Sequence, residues 1–212
     1  MVRDGILYAF ALMAGGFLVD YLVNPWLGTP LFVLALFCAW FFRDPERTLP
    51  PGQVMVSPAD GEVVVVTPEG SGHTRISIFL NIFDVHVNRS PVAGVITDIC
   101  YQKGKFMNAA RPAASMENEM NTFTVRSNGS TVVFKQIAGL IARRIVCYVK
   151  PGDRVEAGQR VGLIKFGSRC DVIFGPEWSP EVTPGMRVSA GSSVLARRKE
   201  TATPSEVRAW RS

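Results

Sequence analysis

Between residues 5 and 42 the chain carries a single charged side chain, Asp20. All but Arg3, Asp4 and Asp20 of its 23 basic and 18 acidic residues lie from Arg43 onward. So apolar a stretch, beside an ordinarily charged remainder, demands an apolar partner. The 212-residue chain therefore divides into a hydrophobic membrane-anchoring segment, residues 1–42, and a water-compatible part. Two apolar runs fill the leader, residues 6–23 and 26–42, divided by Asn24-Pro25. Each is shorter than the roughly 20 residues that cross a ~30 Å hydrocarbon core upright. Two short spanning helices and a hairpin set in one leaflet both fit. Arg3 precedes the first run, Arg43 and Arg47 follow the second, and the connection is uncharged. The positive-inside rule then puts both ends in the cytoplasm, at the inner membrane of the cell. Trp26, Trp40, Phe41 and Phe42 suit an interfacial aromatic belt. A cleaved signal peptide fits less well, because Met-Val-Arg-Asp is a weak basic start and a second apolar run follows directly.

Net charge and cysteine usage narrow the partners. A charge of +5 and a pI of about 9.2 suit nucleic acid or an anionic membrane. The leader selects the membrane, and nucleic acid is not an expected partner. Cys38, Cys100, Cys147 and Cys170 show no paired spacing, so neither a disulfide framework nor a metal site is indicated.

Residues 43–52, with Pro45, Pro50 and Pro51, read as a linker. From 53 to 212, short β-branched runs alternate with Gly, Pro, Asn and Asp, as in residues 63–66, 76–80, 131–134 and 145–149. This punctuation predicts a mainly β domain, a barrel or sandwich. Residues 103–121 form the main irregular stretch. One repeat is internal: Pro151-Gly152-Asp153-Arg154-Val155-Glu156-Ala157-Gly158 matches Pro184-Gly185-Met186-Arg187-Val188-Ser189-Ala190-Gly191. In each copy Pro-Gly sets a turn, the valine enters the core and the second glycine turns the chain again. The pattern resembles the paired β-turn units of the lipoyl and biotinyl barrel-sandwich hybrid, without the Met-Lys tip that a carrier needs.

Few residues offer chemistry. His73 lies in Gly70-Ser71-Gly72-His73, a solvated loop composition. His86 lies in Phe83-Asp84-Val85-His86-Val87-Asn88-Arg89-Ser90-Pro91, where alternation puts Phe83, Val85 and Val87 on one strand face and Asp84, His86 and Asn88 on the other. A plain polar face and a functional histidine both fit that pattern. Ser57-Pro58-Ala59-Asp60-Gly61 reads as a turn before a valine-rich strand, with Asp60 either structural or a partner for His86. Metal-ligand clusters, phosphate loops and nucleophile elbows do not occur. Two Gly-Ser sites compete for attention, Gly167-Ser168 and Gly191-Ser192-Ser193. On the residues alone, a membrane-anchored adaptor without catalysis remains open, although it would want coiled-coil arms that the chain lacks.

Taken in order behind the leader, Phe42-Arg43-Asp44-Pro45, Ser57-Pro58-Ala59-Asp60-Gly61, Asp84-Val85-His86-Val87-Asn88-Arg89, Ala138-Gly139-Leu140-Ile141-Ala142-Arg143-Arg144-Ile145 and Phe166-Gly167-Ser168-Arg169 resemble the phosphatidylserine decarboxylases, in their short bacterial and archaeal form. The resemblance runs from the end of the leader to about Phe174. It implies self-cleavage at a Gly-Ser bond, conversion of the serine to a pyruvoyl group, and decarboxylation of phosphatidylserine to phosphatidylethanolamine through a Schiff base to that group. The apolar strand that follows the cut in the family is matched by Val172-Ile173-Phe174, which selects Gly167-Ser168. Gly191 is instead the repeat partner of Gly158. Ser168 would then be the nucleophile, His86 its base and Asp60 the group that orients the imidazole, as in a serine-protease triad. The implied products are a β chain, 1–167, and an α chain, 168–212. Arg89, Arg143 and Arg144 are candidates for the lipid phosphate or the substrate carboxylate. Arg169 stands where longer members have Thr or Ser, so any role of that hydroxyl is absent, and Phe83 stands where they have a second histidine, which leaves the proton donor for decarboxylation open. Another amino-acid head group, such as archaetidylserine, fits the same chemistry, and a homo-oligomer is compatible with the sequence.

Overall fold

The computed structural model describes residues 1–70, 72–105, 117–139, 144–165 and 167–199. Its leader is a helical hairpin, α1 (Arg3–Leu22) and α2 (Thr29–Phe41). At 1.5 Å per residue α1 is about 30 Å long and matches a hydrocarbon core, whereas α2, at about 20 Å, does not. Small residues let the two helices touch: a Cβ on Gly16 would lie 2.6 Å from the Phe32 ring. Asp20, the leader's lone charge, accepts the Gly28 N–H at 2.7 Å. It thereby supplies an anion where α2 begins, the end of a helix that favours one. Most large apolar side chains of the hairpin, among them Leu7, Phe10, Phe17, Leu22 and Leu36, face outward.

Beyond the leader the chain is mainly β. Eight strands make one curled antiparallel sheet, in the order β13 (Arg187–Val188), β2 (Gly61–Glu69), β3 (His73–Leu80), β11 (Ser168–Phe174), β7 (Ser130–Ile137), β6 (Met120–Ser127), β5 (Gly94–Gln102) and β9 (Arg154–Val155). Two three-stranded sheets cover it, β1 (Val54–Val56) with β14 (Val194–Arg198) and β12 (Trp178–Pro180), and β4 (Val87–Arg89) with β10 (Arg160–Ile164) and β8 (Ile145–Cys147). The predicted strand runs 63–66, 76–80 and 131–134 fall in β2, β3 and β7, and 145–149 is shortened to β8. The core lies inside the curl, where Cys170, Val172 and Phe174 of β11 meet Ile76, Ile78, Phe123, Phe134 and Val161.

The repeat explains the curl. Its first copy supplies β9 and its second β13, the two edges of the large sheet. Val155 and Val188 are both buried, as the pattern requires. Gly158 and Gly191 both have left-handed backbone (φ 76° and 74°). They pack so closely that a Cβ on Gly158 would lie 3.6 Å from the Gly191 Cα. The turns that follow the two edges therefore meet, and the sheet closes on itself as a half-barrel.

One expected strand is cut short. The alternation beginning at Phe83 predicts extended chain through Pro91, but pairing starts only at Val87. Asn81 and Asp84 fold the preceding residues into a turn: the Phe83 N–H donates to Asn81 Oδ1 and the Asn81 N–H to Asp84 Oδ2. Side chains that bond local backbone offer it an alternative to the ladder. Phe83 is left 67% exposed at the tip of that turn.

Candidate functional site

The site begins with a glycine that bends the chain. Gly167 has φ of 54°, a conformation that L-residues rarely adopt, and so turns the segment leaving β10 into β11. Ser168 opens β11 opposite Leu80 of β3 and is wholly buried. Its Oγ has no hydrogen-bond partner among the described residues. A buried hydroxyl normally finds one, which makes this atom a candidate for chemistry.

His86 reaches the same segment from the stretch before β4. The Gly167 N–H donates to its Nε2 at 3.1 Å, and its Nδ1 lies 2.9 Å from the Asp84 carbonyl oxygen. A carbonyl only accepts, so Nδ1 carries the proton and Nε2 keeps its lone pair toward the Gly167–Ser168 segment. The ring is 1% exposed and Phe41 lies against it, with centroids 4.4 Å apart. Burial lowers the pKa of His86 from 6.5 to about 4, against the opposing pull of the Asp84 carbonyl and carboxylate. The imidazole is therefore neutral and able to accept a proton near pH 7. The Asp84 carboxylate, turned away from the ring, holds the Asn81 N–H and pairs with Arg187.

The structure brings Ser168, Gly167 and His86 together but does not place Asp60 on the histidine. Asp60 sits in the turn before β2, where Arg47 Nη2 donates to both carboxylate oxygens at 2.9 and 2.7 Å and the Ala190 N–H donates at 2.7 Å. The carbonyl of Asp84 makes the bond to Nδ1 that the sequence assigns to Asp60. Asp60 instead pins residues 43–52, and Arg89 does the same. Its guanidinium donates to Asp44 at 2.8 Å, to the Pro45 carbonyl at 3.0 Å and to the Gly158 carbonyl at 3.0 Å. Arg144 is exposed, and Arg143 lies outside the described residues. At the rival Gly-Ser pair the Gly191 N–H donates to the Ser57 carbonyl within a turn, and His73 is exposed. Phe41 and the Asp84 carbonyl escape a reading of side-chain motifs. Phe41 was assigned to a membrane belt, and a main-chain acceptor leaves no mark in sequence.

A second group of buried polar residues stands beside the site. Arg169, 1% exposed, donates from Nε to Asp171 at 2.7 Å and from Nη2 to Ser77 Oγ at 2.6 Å. These contacts tie the first turn of β11 to β3 on the face opposite the core.

The sequence model for the family described as phosphatidylserine decarboxylase matches residues 34–196. A protein of Solibacter usitatus named phosphatidylserine decarboxylase proenzyme is 60% identical over 198 residues, 93% of this chain and 97% of that protein. Proteins of the same name from Cupriavidus metallidurans and Erythrobacter litoralis are each 44% identical, covering 87% and 92% of this chain and 90% and 86% of their own lengths. The match takes in His86, Gly167 and Ser168 together with the end of α2. The chain therefore belongs to the phosphatidylserine decarboxylase family of carboxy-lyases.

Proposed function

We propose that the chain is a proenzyme that cuts itself between Gly167 and Ser168, converts Ser168 to a pyruvoyl group, and decarboxylates phosphatidylserine to phosphatidylethanolamine at the cytoplasmic face of the cell membrane. The observation that carries this reading is a neutral, buried imidazole aimed at a left-handed Gly-Ser junction whose serine hydroxyl is buried and unpartnered.

The hydrogen bond at His86 Nε2 passes from the Gly167 N–H to the Ser168 hydroxyl. Ser168 Oγ then attacks the Gly167 carbonyl carbon and gives its proton to Nε2, while the Asp84 carbonyl steadies the Nδ1–H. Return of that proton to the Ser168 nitrogen breaks the C–N bond and leaves an ester with a free amine. Loss of the Ser168 Cα proton expels Oγ with the Gly167 carboxylate. The enamine left at 168 tautomerises to an imine, and water replaces its nitrogen, releasing ammonia and leaving a ketone. The site suits such a group: Ser168 is enclosed, opposite Leu80, and among the described residues no side chain bonds its Oγ. A pyruvoyl group supplies an electrophilic carbonyl for the serine amine and an electron sink for the departing CO₂. His86, bonded to the Gly167 N–H, is then placed to hold and return a proton. Residues 1–42 hold the domain against the bilayer that presents the lipid, with residues 43–52 as the joint and 53–212 as the catalytic part.

Intact mass of the purified protein tests this. Fragments 1–167 and 168–212 are expected, the second without its amino nitrogen, and Ser168→Ala should give only full-length chain. A full-length wild-type chain that releases CO₂ from phosphatidylserine vesicles would overturn the proposal. So would cleavage that survives Ser168→Ala and is lost in Ser192→Ala.

A further inference from the structure

The base of the leader hairpin is packed into the cleavage site, not merely attached near it. Phe41 and Phe42, where α2 ends, form one buried cluster with Val85 and Val87 on either side of His86 and with Leu163 of β10. Phe41 covers the His86 ring. Arg43, stacked on Trp40 with its guanidinium carbon 4.2 Å from the ring centroid, donates to the Phe83 carbonyl at 2.7 Å. That bond holds the turn whose next carbonyl, that of Asp84, orients the imidazole. The start of α1 reaches the other side of the scissile bond. Lys165 Nζ pairs with Asp4 at 2.8 Å and lies 3.2 Å from the Tyr8 hydroxyl, and its side chain is only 10% exposed. Lys165 stands two residues before Gly167. The Val2 N–H donates to the Phe42 carbonyl at 3.0 Å and joins the two ends of the hairpin into one platform.

The base and the residue two before Gly167 are thus each held by a leader residue, and the turn that orients the base is held by Arg43, the first residue after the leader. From this we infer that the docked leader is a working part of the cleavage machinery, with Asp4 and Lys165 as positioning residues. A chain whose leader is not seated stays uncut. The inference rests on the self-cleavage reading above. A misplacement of about 1 Å in a reacting geometry costs on the order of 100-fold in rate. Both residues lie outside the reacting atoms, so their effect is on position. Coupling of this kind makes insertion of the hairpin a precondition for making the pyruvoyl group, and keeps the reactive ketone from forming on chains that have not reached a bilayer.

A charge exchange separates positioning from general damage. Full-length chain is synthesised in the presence of phosphatidylethanolamine–phosphatidylglycerol vesicles, and loss of precursor is followed on denaturing gels. Asp4→Lys and Lys165→Asp should each slow cleavage by about 10-fold or more, within the range that such a displacement produces. The double variant, which restores the pair with its signs reversed, should return to within about threefold of wild type, a rescue that mere misfolding of either single variant would not give. Single variants cleaved at the wild-type rate would overturn the inference, as would a double variant no faster than its slower parent. A wild-type chain that is never cut would fail the self-cleavage reading instead, and is told apart by the wild-type lane alone.

Discussion

His86 folds as a neutral ring in an apolar setting, and its energetics follow from that. Burial carries its pKa from 6.5 down to about 4, with Arg43 adding to the descent and the Asp84 carbonyl and carboxylate resisting it. Between those two values the unfolded chain binds a proton that the folded chain refuses. The stability this group contributes is complete above pH 6.5 and is lost as pH falls toward 4, by about 3 kcal/mol at ~1.4 kcal/mol per unit. The urea midpoint of uncut Ser168→Ala protein should therefore decline from pH 7 to pH 4.5, more steeply than that of the same protein carrying His86→Phe. Self-cleavage, if His86 is its base, should run at a constant rate from pH 8 to 6 and slow only below about pH 5. A rate already halved at pH 6.5 would mean that the ring is solvated, contrary to its contacts with Phe41 and Gly167.

At the scale of the element, β11 combines two demands. Its inward residues Cys170, Val172 and Phe174 are core, while Arg169 and Asp171 on the other face are a buried ion pair, each about 1% exposed. Removing one partner leaves an uncompensated charge, at a cost of about 3–5 kcal/mol, whereas replacing both by apolar residues is often neutral. Asp171→Ala should thus unfold at a much lower denaturant concentration than wild type, and Arg169→Met with Asp171→Leu should recover most of the loss. The inward half of this strand was legible from Val172-Ile173-Phe174, and Gly167-Ser168 from its place before that run. The function of Arg169 was not, because Ser77 joins it only through sheet register. The same limit hid Lys165, whose partner Tyr8 is 157 residues away in sequence. His86 was found by its motif, but the strand expected from Phe83 onward was defeated by two short side chains that bond their own turn. Asp60 and Arg89 were recognised as residues with a task. Sequence could not show that both bond residues 44–47, just after the leader.

For the whole molecule, the position of β11 between β3 and β7 decides what cleavage can do. Residues 168–199 also supply β13 against β2 and β14 against β1, so the large sheet and one of the two small ones draw strands from each side of the cut. The fragments 1–167 and 168–212 should therefore co-elute in mild detergent and separate only on denaturation. Dissociation without denaturant would contradict the strand order. The meeting of Gly158 and Gly191 takes on another meaning in that light. Cleavage between Gly167 and Ser168 would leave one glycine in each fragment, so the contact between the two repeat copies would become a seam between chains. Its halves would never have to find each other in solution. Their pairing would be complete while they were still covalently one, which would give the cleaved protein a one-to-one stoichiometry that no diffusing pair of subunits could guarantee.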